Sequence, residues 1–266
     1  MIQFNVFPGG VKRIVTFSYD DGPANDIRLV ELFNKYGVKG TFHLNSRKYI
    51  GMSEEELDVI RKTYAGHEIS CHTVQHGWLN RMLPSSIVNE VMEDRKLLEH
   101  IAGYPVVGMS YPNGTYDDDV IAAIRACGIV YCRTTLKEHH ALEFPKNFLA
   151  WHPTCHHKDI GQYITSYINN IERSWHSPLF YIWGHSYEFD TEEKWAELEG
   201  YIAQLAELKD KIWFASNIEI YNYIKAQRDL VVSADESIIH NPSAITVWVS
   251  RNKEIIKIEP GETVYL

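Results

Sequence analysis

The chain has 266 residues, 45% of them apolar and 12% aromatic, and a formal net charge of −9. That length supports one large α/β domain or two small ones, and the acidic balance excludes a basic face for nucleic acid or an anionic membrane. No apolar run approaches the roughly 20 residues that cross a bilayer. Met1 to Asn5 has neither a positive n-region nor a long apolar stretch, so a cytoplasmic location is expected. Cys71, Cys127, Cys132 and Cys155 form no CxxC pair, which predicts buried free thiols in a reducing compartment.

Residues 13–18, Arg-Ile-Val-Thr-Phe-Ser, read as a buried strand that ends at Asp20-Asp21-Gly22-Pro23. Two adjacent acids at a strand end can face one cleft if Gly22 bends the chain. Apolar spacing then predicts a helix over 25–36, closed by Gly37, and a strand over 40–44. Ser53 with Glu56 is a capping box that opens a helix to about residue 64. A short strand follows at 68–71, a long amphipathic helix at 84–101, a strand at 106–110, a helix at 117–127 and a strand at 129–133. Residues 134–146 are irregular, 147–151 read as a strand, 159–173 as a helix and 179–183 as a buried strand. A helix at 191–209, a strand at 212–215 and a helix at 217–227 complete the alternation.

This repetition predicts an α/β fold, a distorted (β/α) barrel of about seven to eight parallel strands over residues 1–228. Beyond Arg228 the pattern switches to period two, at 230–233, 244–250, 255–259 and 263–266. Residues 229–266 are therefore expected to form a small antiparallel β extension, too short to fold alone. It is expected to pack on the barrel, or on a second copy of the chain.

Among the 13 histidines, His72-Thr73-Val74-Gln75-His76 has metal-ligand spacing and follows a strand, as the acid pair does. A helical turn there would put both imidazoles on one face. With one carboxylate they leave an open position on a divalent ion: zinc first, with cobalt, manganese or nickel as other candidates. His185 follows the strand at 179–183 and is placed to exchange a proton with a substrate. Ser110-Tyr111-Pro112-Asn113-Gly114 makes a shaped rim loop, and Tyr19, Trp78, Tyr116, Trp151, Trp183 and Tyr187 lie near other predicted rim loops. His152, His156 and His157 form a rival cluster.

Taken in order, Asp-Asp-Gly-Pro, His-Thr-x-x-His, a Pro-x-Gly loop and a strand-borne His resemble the polysaccharide deacetylase family. This is the NodB-homology domain of carbohydrate esterase family 4. The resemblance covers about residues 11–224. It implies Asp20 as general base, His185 as general acid, and Asp21, His72 and His76 as metal ligands. It further implies an oxyanion contact from the backbone N–H of Tyr111 and an acetylated carbohydrate as substrate. Two features depart from the family pattern. Ser110 stands where many members carry an Arg that holds the base, a task open to Arg133. No Asp-x-x-Asp-Trp motif is present to tune the acid, a task open to Glu188 or Asp190. The competing readings are a metal-dependent amidohydrolase on a small non-sugar C–N substrate and a non-catalytic carbohydrate-binding relative.

Overall fold

The computed structural model describes residues 1–173 and 176–266. After β1 (Ile2–Gln3), β2 (Arg13–Asp20) leads into α1 (Asp26–Tyr36), β3 (Gly40–Leu44), α2 (Glu54–Thr63) and β4 (Glu68–Cys71). Then come α3 (Pro84–Ala102), β5 (Gly108–Ser110), α4 (Asp118–Ala126), β6 (Tyr131–Arg133), β7 (Cys155–His156) and α5 (Ile160–Asn169). The alternation ends with β8 (Leu179–Gly184), α6 (Glu192–Ala206), β9 (Ile212–Phe214) and α7 (Asn217–Arg228). The tail adds β10 (Val231–Val232), β11 (Ile238–His240), β12 (Val247–Arg251), β13 (Glu254–Ile258) and β14 (Thr263–Tyr265). Local signals act as expected at several ends: Ser53 and Glu56 form the reciprocal capping box, and Gly37 closes α1 in the left-handed region.

One parallel sheet runs β6-β5-β4-β3-β2-β8-β7, with β9 paired to the start of β2. It curls into the expected distorted barrel. The predicted strand at 147–151 is instead a 3-10 turn, Phe148–Ala150. Its exit closes the barrel wall: Trp151 bridges to Arg133, and the Thr154 N–H donates to the Tyr181 carbonyl at 2.8 Å. The two-residue β7 next to it carries too little pattern for periodicity to register.

Alternation along β2 sorts its side chains. Val15, Phe17 and Tyr19 join the core beneath the helices, with Leu29 and Phe33 of α1. The other file, Ile14, Thr16, Ser18 and Asp20, is also buried and grows more polar toward the strand's end. Its polar groups are satisfied inside the barrel. Ser18 Oγ meets His43 Nε2 at 2.8 Å, and Thr16 Oγ1 donates to Asn217 Oδ1 at 3.0 Å. Glu68 accepts from Tyr131 Oη at 2.6 Å and from Thr41 Oγ1 at 2.9 Å. Burial pushes the Glu68 carboxyl up to about 7.

The tail forms two small antiparallel sheets, β1-β12-β13 and β10-β11-β14. The periodicity reading missed β1 and β11. Ile239, Val249 and Ile258 form their own buried cluster, each contributing about 1.5–3 kcal/mol. The tail rests on α7: Tyr223 Oη donates to the Val6 carbonyl at 2.8 Å and accepts from Trp248 N–H at 3.0 Å. All four cysteines are buried and unpaired. No helix among the described residues is long and apolar enough to cross a membrane.

Candidate metal centre and its surroundings

The acid pair ends β2, where Asp21 N–H continues the ladder to the His43 carbonyl at 2.9 Å. Asp21 and Gly22 then both take left-handed backbone, with φ of 76° and 61°. A side chain at Gly22 would meet Tyr49 Oη at 2.7 Å and Leu44 Cδ2 at 2.8 Å, so only glycine fits the turn. The left-handed Asp21 costs about 1–2 kcal/mol, offset in part by Lys48 Nζ on its carbonyl at 2.5 Å. The bend breaks strand alternation and lets neighbouring carboxylates serve one cleft.

The His72–His76 run is not the helical turn that its spacing suggests. It is an irregular loop in which Thr73 and His76 are left-handed, with φ of 64° and 54°. Tertiary hydrogen bonds hold this shape against local preference. Asn45 Nδ2 donates to the carbonyls of His72 and Thr73 at 2.7 and 3.0 Å, and Thr73 Oγ1 accepts the His76 N–H at 3.1 Å. Asp94 from α3 accepts the N–H groups of His72 and Ser46 at 3.0 and 2.8 Å, and burial pushes its carboxyl up to about 7.

The loop brings His72 Nε2 and His76 Nε2 each within 3.6 Å of Asp21 Oδ1. All three donor atoms lie within 4.8 Å of one another. Ligands about 2.1 Å from a tetrahedral ion sit about 3.4 Å apart, so the spacing fits a shared ion. His72 Nδ1 donates to the Ser110 carbonyl at 2.9 Å, leaving the Nε2 lone pair toward the cluster. The residues present therefore fit a divalent cation.

Asp20 faces the same cleft from a buried position. Arg133 Nη2 pairs with its Oδ2, and Ser110 Oγ donates to its Oδ1 at 3.0 Å. Ser110 thus occupies the family's Arg position, while a guanidinium arrives from β6. Arg133 lies over the Trp183 ring, 4.4 Å from its centroid. Burial alone would raise the Asp20 pKa. Arg133, followed by His72, His43 and His185, outweighs it and holds the carboxyl well below the usual range.

His185 leaves the end of β8 with its Nδ1 2.7 Å from Glu188 Oε1. Burial pulls this imidazole down, but the Glu188 bond and the charges of Asp20 and Asp21 raise its pKa overall. Asp190 pairs instead with Lys194, at 2.7 Å. Burial alone would raise Glu188. Hydrogen bonds from His156, His157, His185 and Lys158 together hold it far below the ordinary carboxylate range. His152 stands apart from this group, its Nδ1 2.6 Å from Thr134 Oγ1.

The Tyr111 N–H is not free for an oxyanion: it extends the β5–β6 ladder to the Arg133 carbonyl at 3.0 Å. Its hydroxyl is likewise engaged, donating to the Leu149 carbonyl at 2.7 Å. Asn113, two residues on, has φ 56° and sets its Nδ2 3.4 Å from the His76 carbonyl. Trp183 is half-buried between Arg133 and His156, its centroid 4.7 Å from the His156 ring. Tyr187 is exposed and stacks on His185 at 5.0 Å.

Parallel α/β barrels keep their functional residues at the C-terminal strand ends, and here those ends carry a carboxylate–dihistidine cluster. Residues 9–132 match the family model for polysaccharide deacetylase, a span that holds both acids and both histidines of the cluster and stops one residue before Arg133. Residues 9–132 therefore carry the sequence pattern of a polysaccharide deacetylase (NodB-homology) domain. The chain is 32% identical over 113 residues to a chitin deacetylase of Arthroderma benhamiae, covering 41% of this chain and 30% of that protein. The chain spans less than half the length of the curated relatives it matches. Among solved structures, peptidoglycan deacetylase PdaC from Bacillus subtilis shares the fold, with TM-score 0.54, 17% identity, and coverage of 84% of this chain and 96% of that one. A CE4 family pseudoenzyme from Bacillus anthracis aligns with TM-score 0.53 and 17% identity, covering 79% of this chain and 65% of that one.

Proposed function

We propose that this chain is a divalent-metal-dependent hydrolase that removes N- or O-linked acetyl groups from carbohydrate. The observation that carries this reading is the convergence of His72, His76 and Asp21 on one point beside the Asp20–Arg133 pair. A divalent ion held there, zinc first by its donor set, supplies Lewis acidity that polarises an acyl carbonyl and lowers the pKa of water toward about 7. Asp20, kept ionised by Arg133, takes the proton from the attacking water. His185, kept protonated by Glu188, gives a proton to the leaving amine or alkoxide. Tyr187 offers an exposed ring for a sugar face.

The test is acetate release from acetylated chito-, xylo- and peptidoglycan oligosaccharides, with and without added metal. No release from any of them, with the ion bound, would favour a non-catalytic role like that named for the Bacillus anthracis structure. Asp20→Asn is expected to keep the ion and lose turnover on the order of 10²- to 10⁴-fold; wild-type turnover would remove Asp20 as the base.

Glu188 also gives a pH prediction. His185 has a raised pKa, so its acid form persists above the usual imidazole range and is lost as pH rises through the raised value. Glu188→Gln removes the anion at 2.7 Å. The alkaline limb of the rate profile should then move to lower pH while the acid limb stays in place. An unmoved alkaline limb would separate Glu188 from the acid step.

A further inference from the structure

We propose a second divalent-cation site, formed by His156, His157 and Glu188 behind His185. Their donor atoms lie within 4.8 Å of one another. His156 Nε2 and His157 Nε2 stand 3.4 Å from different oxygens of Glu188. Two imidazoles and a carboxylate match the spacing of ligands around a tetrahedral ion, about 3.4 Å. None of the three is shared with Asp21, His72 and His76. They come from β7, the turn after it, and the turn after β8.

The cluster is built rather than a chance meeting of surface arms. His157 is buried and stacks on Tyr19 at 5.7 Å. It packs so closely on β8 that a Cβ at Gly184 would lie 2.0 Å from its Nδ1. A cavity of about 110 Å³, lined in part by His157, Lys158, Glu188 and Tyr201, gives access. The Lys158 ammonium pairs with Glu188, so positive charge already collects here. That side chain is 60% exposed and can swing into water when an ion takes its place. Coordination by His156 Nε2 moves its proton to Nδ1. The long 3.3 Å contact that Nδ1 accepts from Lys158 N–H is then given up.

Glu188 Oε1 also holds His185 Nδ1 at 2.7 Å. An ion on that oxygen competes with the bond that orients His185, so occupancy of the second site should slow acetyl hydrolysis. This consequence rests on the hydrolase reading; the binding itself does not.

Equilibrium dialysis of the full chain against Zn²⁺ or Co²⁺, with metal analysis, tests the binding. Two ions per chain are expected. Asp21→Asn and Glu188→Gln should each leave one. Lys158→Met, a change at an exposed position, should tighten the second ion about 3-fold, the scale of one partly exposed ion pair. A single ion in the wild type overturns the proposal, as does an Asp21→Asn chain that binds none. If Glu188→Gln does not fold, Lys158→Met decides: a second ion indifferent to it overturns the assignment. Acetate release in rising Zn²⁺ should fall as the second site fills. A chain with two ions and no hydrolysis would sink the hydrolase reading and leave this site standing.

Discussion

His76→Ala is expected to abolish binding of the ion at Asp21 and to lower acetate release by about 10³-fold or more. Lewis-acid stabilisation is worth several kcal/mol of barrier, and each 1.36 kcal/mol is roughly tenfold in rate. His76 is the informative member of the cluster because of where it sits. Its side chain is 35% exposed, against 1% for His72. Truncating His72 would open a buried void and orphan the Ser110 carbonyl, mixing a folding defect with a chemical one. Truncating His76 leaves the core untouched, so its melting temperature without metal should match the wild type within about a degree or two. Asp21 and His72 alone would hold the ion too weakly to keep the site filled. An ion retained at Asp21 with full affinity in His76→Ala would show that the three side chains do not share a ligand sphere.

Arg133→Met should combine a large loss of stability with a large loss of rate. The substitution leaves Asp20 as a buried carboxylate without its principal counter-charge. Breaking one side of such a pair costs about 3–5 kcal/mol. The pH dependence has a definite sign. In the wild type the Asp20 pKa is depressed, so its contribution is present above the ordinary carboxylate value and lost as pH falls through the depressed one. Without Arg133 the main influence opposing burial is gone, and the Asp20 pKa rises from its depressed value. The variant therefore lacks a contribution that the wild type has near neutral pH, and the difference shrinks as acid protonates Asp20. The deficit in urea midpoint should be widest near pH 7 and narrow as pH falls. Turnover should drop on the order of 10²- to 10⁴-fold, because the base is no longer held ionised. A deficit that does not change with pH would mean that Arg133 acts through packing on Trp183 rather than through charge.

Strand–helix alternation, the capping box at Ser53 and Glu56, and the two sequence motifs of the site were legible because each is short-range. Hydrophobic period, cap chemistry and turn residues report on neighbours a few positions away. Asp20, Asp21, His72, His76 and His185 could be named because each ends or follows a strand, and strand ends in such barrels face one rim. What holds these residues could not be read this way. Arg133 and Asp20 are four strands apart in the sheet, about 19 Å if it were flat. Only its curl makes them an ion pair. Glu188 rather than Asp190 meets His185 because the turn after β8 aims one acid inward and leaves the other to Lys194. The His72–His76 loop departs from its expected helical turn because Asn45 and Asp94, from other elements, bind its backbone. Tyr111 loses its expected N–H role to a ladder bond with β6. Composition and spacing determined which groups are available and at which edge they emerge. Sheet curvature and backbone hydrogen bonding decided which of them meet, because partner choice depends on distances that the order of residues does not contain.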